Sequence, residues 1–423
     1  MKRIGAYRLF ILLAVIVDFL FSMIFTTSAI YQVVTVGLTP LQLVLVGTTL
    51  ELSVFLFEVP TGVIADVYSR RLSIIIGYFV MGVGFLVEGS FPFFATILLA
   101  QFFWGVGYTF TSGATQAWIS DEIGEQAAGQ AFLRANQVGQ ISGLLGIVAG
   151  TLLGSLKLSL AIQLGGLLLM ATGVLLILTM PEHGFNPTPR EERNSWQHML
   201  FTFKSGVAVV RQRPLLINIL LIGLIYGLYS EGFDRLWTKH IIDNFTLPFD
   251  GMLQPVAWFG ILRAGGVLLT AGASEVAQRR VRTDSFLSIA RALVGFSVIL
   301  IISLLTFAQT SLFILAMLAY WSIYVTRNLI GPLYTAWVNQ KLDSGVRATV
   351  ISMSSQVDAI GQIAGGPAVG WIGSAFSVQA ALTVSGLLLT PVLPLYRRAL
   401  SQSRQQDLLQ AASAFPTTDG EQA

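Results

Sequence analysis

Twelve apolar runs, each close to the roughly 20 residues that cross a bilayer, leave this chain few ways to fold. The first follows Lys2, Arg3 and Arg8 and continues past Tyr31, too long for the apolar core of a cleaved signal peptide. Five more lie at 41–64, 72–91, 93–118, 132–155 and 158–180. After a polar interval come 214–238, 252–275, 284–307, 310–336, 348–374 and 377–396. Charged residues make up 11% of the chain, against about a quarter in soluble domains, so no large soluble domain fits beside the spans. The reading is an all-α membrane protein with twelve transmembrane helices in two six-helix halves. The halves cover 1–180 and 214–396, a linker covers 181–213, and 397–423 is a mobile cytoplasmic tail.

Several chemistries are excluded early. Without cysteine there is no disulfide, thiolate metal site or thiol nucleophile. His183, His198 and His240 share no metal-ligand spacing, and no HExxH pattern occurs. No metal, cofactor or catalytic pair is expected, and the chain is not read as an enzyme. The net charge of +3 does not indicate nucleic acid, because the basic residues sit at the ends of apolar runs. They orient the protein instead. With the N-terminus inside, the loops carrying Arg70/Arg71, Arg134, 190–213, Arg279/Arg280/Arg282, Lys341/Arg347 and Arg397/Arg398/Arg404 all fall inside. Outside loops keep Lys157 and Lys239. A multi-pass protein of the cell membrane with both termini cytoplasmic follows. Within the linker, Trp196, Met199, Leu200, Phe203, Val207 and Val210 recur at helical spacing, which suits a helix lying on the inner surface.

The two halves repeat. Val267–Arg280, VLLTAGASEVAQRR, aligns without gaps on Glu58–Arg71, EVPTGVIADVYSRR, pairing Asp66 with Glu275 and arginines with arginines. Ala117-Trp118 pairs with Ala336-Trp337, Gln137-Val138 with Gln356-Val357, and Gly146 and Gly154 with Gly365 and Gly373. Arginine, tryptophan and glutamine coincidences do not come from hydrophobicity alone.

Gly62, Asp66, Arg70 and Arg71 follow a pattern of glycine, three residues, aspartate and a basic doublet, in a charged turn that has to sit at the water boundary. This resembles the loop signature of the major facilitator superfamily, departing from it at Val67 and Ser69. The resemblance implies two parallel six-helix halves with substrate bound near the midplane between them. It also gives Asp121 and Glu122, with Arg70, Arg71 and Arg134, the place of an intracellular gate, and Glu275, Arg279 and Arg280 that of its repeat.

Ionisable residues inside spans are the functional candidates, because lipid does not tolerate them. Asp18 shares a helix face with Ser22, Phe25, Ala29 and Gln32, and Glu51 lies deep in the second span. Both are read as proton-coupling candidates. The fourth span presents Gln101, Trp104, Gly105, Tyr108, Ser112 and Thr115 along one face. Proton antiporters of the superfamily commonly have an arginine where Gln101 stands. In the second half Tyr320, Tyr324, Arg327 and Tyr334 form a polar-aromatic face, and Asp358 is expected to neutralise Arg327 or Arg263. Glu231 and Arg235, with Asp234 alongside, are placed towards the outer end as a gate or a structural ion pair.

Glycines four apart, Gly139/Gly143, Gly146/Gly150/Gly154, Gly361/Gly365 and Gly366/Gly370, allow close helix approach. The segment SGATQAWISDEIG and the Asp18 stripe resemble the drug–proton antiporter branch, the macrolide and tetracycline exporters. That resemblance implies a monomer exporting a hydrophobic aromatic compound against protons, with the compound stacked on Trp104, Tyr108, Trp321 and Tyr324. Two alternatives stay open: uptake or uniport of an anionic metabolite on Arg263 and Arg327, and a membrane scaffold or sensor that transports nothing.

Overall fold

The computed structural model describes residues 5–187, 214–248, 253–340 and 344–413; the linker helix expected around Trp196 lies outside them. The first six helices are α1 (Ala6–Ile30), continued by a π-helical turn over Tyr31–Thr35, α2 (Pro40–Val67) and α3 (Arg70–Ser90), then α4 (Phe94–Ile123), α5 (Glu125–Leu156) and α6 (Leu158–Thr179). The second set is α7 (Pro214–Asn244), α8 (Pro255–Arg280), α9 (Phe286–Gln309) and α10 (Phe313–Gln340), then α11 (Ser344–Ala375) and a broken last span, α12 (Val378–Leu388) and α13 (Val392–Ser413). The twelve spans expected from the sequence are present. Among the described residues eleven segments qualify by length and hydropathy, and the twelfth, α11, is rich in Ser and Gly. It packs between α7 and α2.

Helices run further than the apolar runs suggest. The stretch Glu58–Arg71, expected to be a charged turn, is helical except for Tyr68 and Ser69, and Ser69 Oγ caps α3 by accepting from Leu72 N at 2.9 Å. Between α4 and α5 the whole connection is Gly124, whose φ of 84° lies in the left-handed region that glycine enters without strain. The last helix continues to Ser413, past the boundary expected at Tyr396, through a segment of Gln, Leu and Ala that favours helix.

The duplication is visible in the packing. Helix α1 lies on α5 and α7 on α11; α3 lies on α4 and α6, as α9 does on α10 and α12. Glycine makes the first pair of contacts possible. A Cβ at Gly150 would stand 2.5 Å from Met23 O, and one at Gly365 would stand 2.5 Å from Leu228 O. Backbones this close leave no room for a side chain. Trp118 and Trp337, the repeat partners, are both buried, near the corresponding ends of α4 and α10.

One face of the bundle carries Arg70, Arg71, Arg279 and Arg280 and is the basic end. The halves meet away from it. Leu41 N donates to Ser374 Oγ at 2.9 Å where α2 begins and α11 ends, and Gly370 fits against Val44. Gly154 meets Val256 and Gly260 meets Thr151 where α5 ends and α8 begins. Deeper in, Arg263 donates to the carbonyl of Phe25 at 3.0 Å.

Substitution at the α1–α5 seam separates packing from propensity. Gly150→Val should lower the unfolding temperature of the purified protein, by an overpacking cost of about 1–3 kcal/mol. At Gly113, where nothing lies within 4 Å of an added Cβ, alanine should be neutral or stabilising. Thermal size-exclusion profiles read both; equal behaviour of the two variants would contradict the packing.

Candidate functional site

A cavity of about 660 Å³ lies between the halves. From the first half, α1 contributes Phe25 and Ser28 and the π-helical turn after it Gln32, at spacings of three and four, α2 contributes Glu51, and α4 contributes Gln101 and Trp104. From the second, Tyr320, Tyr324 and Arg327 form a stripe on α10, and Glu231, Asp234 and Arg235 project from α7 with Arg263 from α8. Aromatic faces and charges therefore share one wall.

Two cations of the second half, Arg327 and Arg235, are paired with carboxylates at this site. Arg327 forms a two-pronged pair with Asp234, one prong running from the second guanidinium nitrogen to Oδ2 at 2.8 Å. Its guanidinium also lies 5.8 Å from the ring centres of Tyr229 and Phe233. Arg235 binds Glu231 at 2.9 Å. Gly47 of α2 lies against this pair, and any side chain there would overlap the Glu231 carboxylate. A second cavity of about 400 Å³ shares Asp234, Arg327 and Gln362 with the first and continues into the second half past Tyr226, Tyr229, Tyr334 and Asp358.

The first half holds a different arrangement, built on a residue not among the sequence candidates. Glu88 of α3 is fully buried and accepts from Ser28 Oγ at 2.5 Å, Gln32 Nε2 at 2.9 Å and Gln101 Nε2 at 3.2 Å. All three donors are neutral and all three residues line the central cavity. The signal was present: Glu88 is the one acidic residue in α3, inside an apolar span.

The structure gathers Glu51, Gln32, Gln101, Trp104, Arg263, Tyr324 and Arg327 around the central cavity. Three candidates stand elsewhere. Asp18 is absent from the cavity lining and points at Gly139 of α5. Tyr108 is exposed and lies outside the lining, and Trp321 donates its indole N–H to Leu262 O at 2.9 Å, packed on Gly265. The expected pairing of Asp358 with Arg327 or Arg263 is not formed. Asp358 accepts from Gln362 at 2.8 Å, since Asp234 already holds Arg327. Glu231 and Arg235 form the structural ion pair that was one of the two expected readings, and with Asp234 they line the central cavity from the part of α7 beyond its midpoint, with α7 running on to Asn244.

At the basic end Arg70 binds Asp121 at 2.5 Å and approaches Asp66 at 3.9 Å. The main-chain N–H of Arg71 donates to Glu182 Oε1 at 2.9 Å, and the Arg71 guanidinium donates to Ile177 O at 2.7 Å. Ser69 Oγ reaches the other oxygen of Glu182 at 2.7 Å, and Glu122 accepts from the N–H of Gly184 at 2.8 Å. The network ties α2, α3 and α4 to the chain after α6, within one half. Arg134 is not part of it and binds Gln137 at 3.3 Å, one turn along its own exposed helix face. Gly62 meets no atom within 4 Å of an added Cβ. In the repeat, Glu275 and Arg279 form a local exposed pair at 2.6 Å, and Arg280 is exposed beside it.

The Asp234–Arg327 pair allows a direct energetic test. Asp234→Asn and Arg327→Gln should each destabilise the protein, while the double variant recovers part of the loss, with a coupling of about 0.5–3 kcal/mol. Additive effects on unfolding temperature would show that the pair does not hold α7 to α10.

Comparison with known proteins agrees with this architecture. The family model of the Major Facilitator Superfamily matches residues 10–365. The uncharacterized MFS-type transporter YxaM of Bacillus subtilis (strain 168) is 25% identical over 362 residues, covering 84% of this chain and 86% of the relative. Among solved structures, a mutant of the nucleoside transporter NupG superposes with a TM-score of 0.75 at 14% identity, covering 93% of this chain and 100% of that one. A bacterial homolog of the human lysosomal transporter Spinster, inward-facing and occupied, gives 0.71 at 13% identity, covering 94% and 98%. At these identities the solved structures speak to the fold alone. With the family model spanning most of its length, the chain belongs to the Major Facilitator Superfamily.

Proposed function

We propose that this protein is a proton-coupled secondary transporter of the cell membrane, a monomer with both termini cytoplasmic, that exports a small ring-bearing solute by alternating access. The observation that carries the reading is the central cavity, built by both halves and closed by inter-half contacts at the end away from the basic face. Basic residues favour the cytoplasmic side of a membrane, which makes the closed end external and this conformation one that faces inward. The domain boundaries near 180 and 214 then separate two bodies that rock about the cavity, with the Asp66–Arg70–Asp121 network stiffening one of them.

The lining refines the substrate class. A hydrophobic drug needs aromatic walls and little else, yet Trp104, Tyr320 and Tyr324 here stand beside Gln32, Gln101, Arg327 and Glu51. Rings that stack and polar groups that fix orientation suit an amphipathic molecule carrying hydrogen-bond donors. Nucleoside and peptide transporters are among the proteins of similar fold. The second reading, uptake of an anion, rests on Arg263, whose hydrogen bond goes to a main-chain carbonyl and leaves its charge uncompensated by that contact. Asp18 and Glu51 remain the proton carriers proposed from the sequence.

Everted membrane vesicles test direction and coupling together. With an acid interior, vesicles containing the protein should accumulate labelled uridine, a neutral ring-bearing probe with donors, and lose it when nigericin collapses the gradient. Accumulation of ethidium with none of uridine would restore the hydrophobic-drug reading. Accumulation in right-side-out vesicles alone would establish uptake.

A further inference from the structure

Glu88 is a carboxylate surrounded by neutral donors. Ser28, Gln32 and Gln101 all direct hydrogen-bonding groups at it. Among the described residues, the titratable groups that act on it electrostatically are Tyr31, in the π-helical turn after α1, and Arg235 of α7, which is bonded to Glu231. Helix α6, packed against α3, contains no titratable residue, and those of α4 are Tyr108, Asp121 and Glu122, further towards the basic end.

This arrangement fixes Gln101. A carboxylate only accepts, so the amide has to turn its N–H group towards Glu88, leaving its oxygen for other company. That oxygen, Gln101 Oε1, is buried without a hydrogen-bond partner, and the indole N–H of Trp104, one turn along the same helix, is likewise unpartnered. Gln101 itself is 2% exposed, and both residues line the central cavity. A buried acceptor and a buried donor left unmatched are each costly, and a ligand offering a donor beside an acceptor would satisfy both.

We propose that Glu88 is a proton-binding residue of this transporter and that Gln101 passes its state to the substrate. When Glu88 is ionised, the Gln101 oxygen is free to accept from a donor group of the solute. A proton taken from water onto Glu88 makes an O–H donor, the Gln101 amide turns to accept it, and N–H then replaces oxygen at the cavity wall. Solute donor and proton thus exclude one another, and the exclusion is reciprocal. Exchange transport needs that relation. This rests on the transporter reading, but its test requires no transport.

The test is infrared difference spectroscopy on the purified full chain in liposomes, with protons as the probe. Spectra are taken across a pH step for protein with and without ¹⁵N-labelled glutamine. The wild type should gain a carboxylic-acid band on acidification together with a glutamine amide change that shifts with the label. Glu88→Gln should diminish that band and lose the amide change, whereas Asp284→Asn, at an exposed position in the loop before α9, keeps the amide change. Gln101→Met, close in size but lacking the amide, should keep the acid band and lose the glutamine change, and it serves if Glu88→Gln fails to fold by size exclusion. An acid band of full size in Glu88→Gln, or a glutamine change that persists in Gln101→Met, overturns the proposal. Absence of uridine transport in vesicles alongside the expected spectra would count against the transport reading and leave the proton switch standing.

Discussion

A bilayer core cannot solvate a charge, so every ionisable side chain placed in a span has to be paired, donated to, or turned towards water. This chain gathers many such groups around one cavity, Asp18 against α5 apart, and it does so differently in its two halves. In the second half, Asp234 of α7 is matched with Arg327 of α10, and Glu231 with Arg235 one turn along α7. Those pairs fix the wall. In the first half, a single buried carboxylate is met by three neutral donors. On the proposal above, a fixed wall faces one whose hydrogen bonding depends on a proton, so that one surface would grip the solute and the other sense the ion.

The scaffold beneath this site is duplicated more faithfully than the site. Glycine seams bring α1 onto α5 and α7 onto α11, and the same helix partners recur around them. Trp118 and Trp337 fill corresponding positions, yet Trp118 donates to Pro181 O at 2.7 Å whereas Trp337 stacks on Phe286 at 5.1 Å. The loop acids diverge in the same way: Asp66 belongs to a network that reaches Asp121 and Arg70, and Glu275 to a local pair. Packing is retained by both copies, while polar contacts have been rewritten in each.

What could be read from the sequence follows this division. Spans, their number and the repeat were legible because apolar length and glycine spacing are local properties of the chain. Membership of the cavity wall was legible for Gln32, Gln101, Trp104, Tyr324 and Arg327, since each lies on a polar stripe of an otherwise apolar helix. Partnership was not. Asp234 and Arg327 are 93 residues apart and Glu88 and Ser28 are 60 apart, and no periodicity within one helix reports which stripe another will face. Asp18 shows the opposite error. Its stripe includes Phe25 and Gln32, which do line the cavity, but a turn and more nearer the basic end the same face of α1 is turned to Gly139 of α5.

The central claim is that the two halves rock about this cavity, with one end opening as the other closes. Distances between spin labels measure that directly, and a chain without cysteine takes labels only where they are placed. Tyr68 and Val276 report on the basic end and Phe93 and Phe376 on the opposite end, all of them exposed. In liposomes the account predicts that the basic-end pair populates a long distance, matching this structure, and a shorter one. The opposite-end pair should lengthen in proportion as the shorter one grows. A single unchanged distance at both ends, or the two pairs lengthening together, would contradict it.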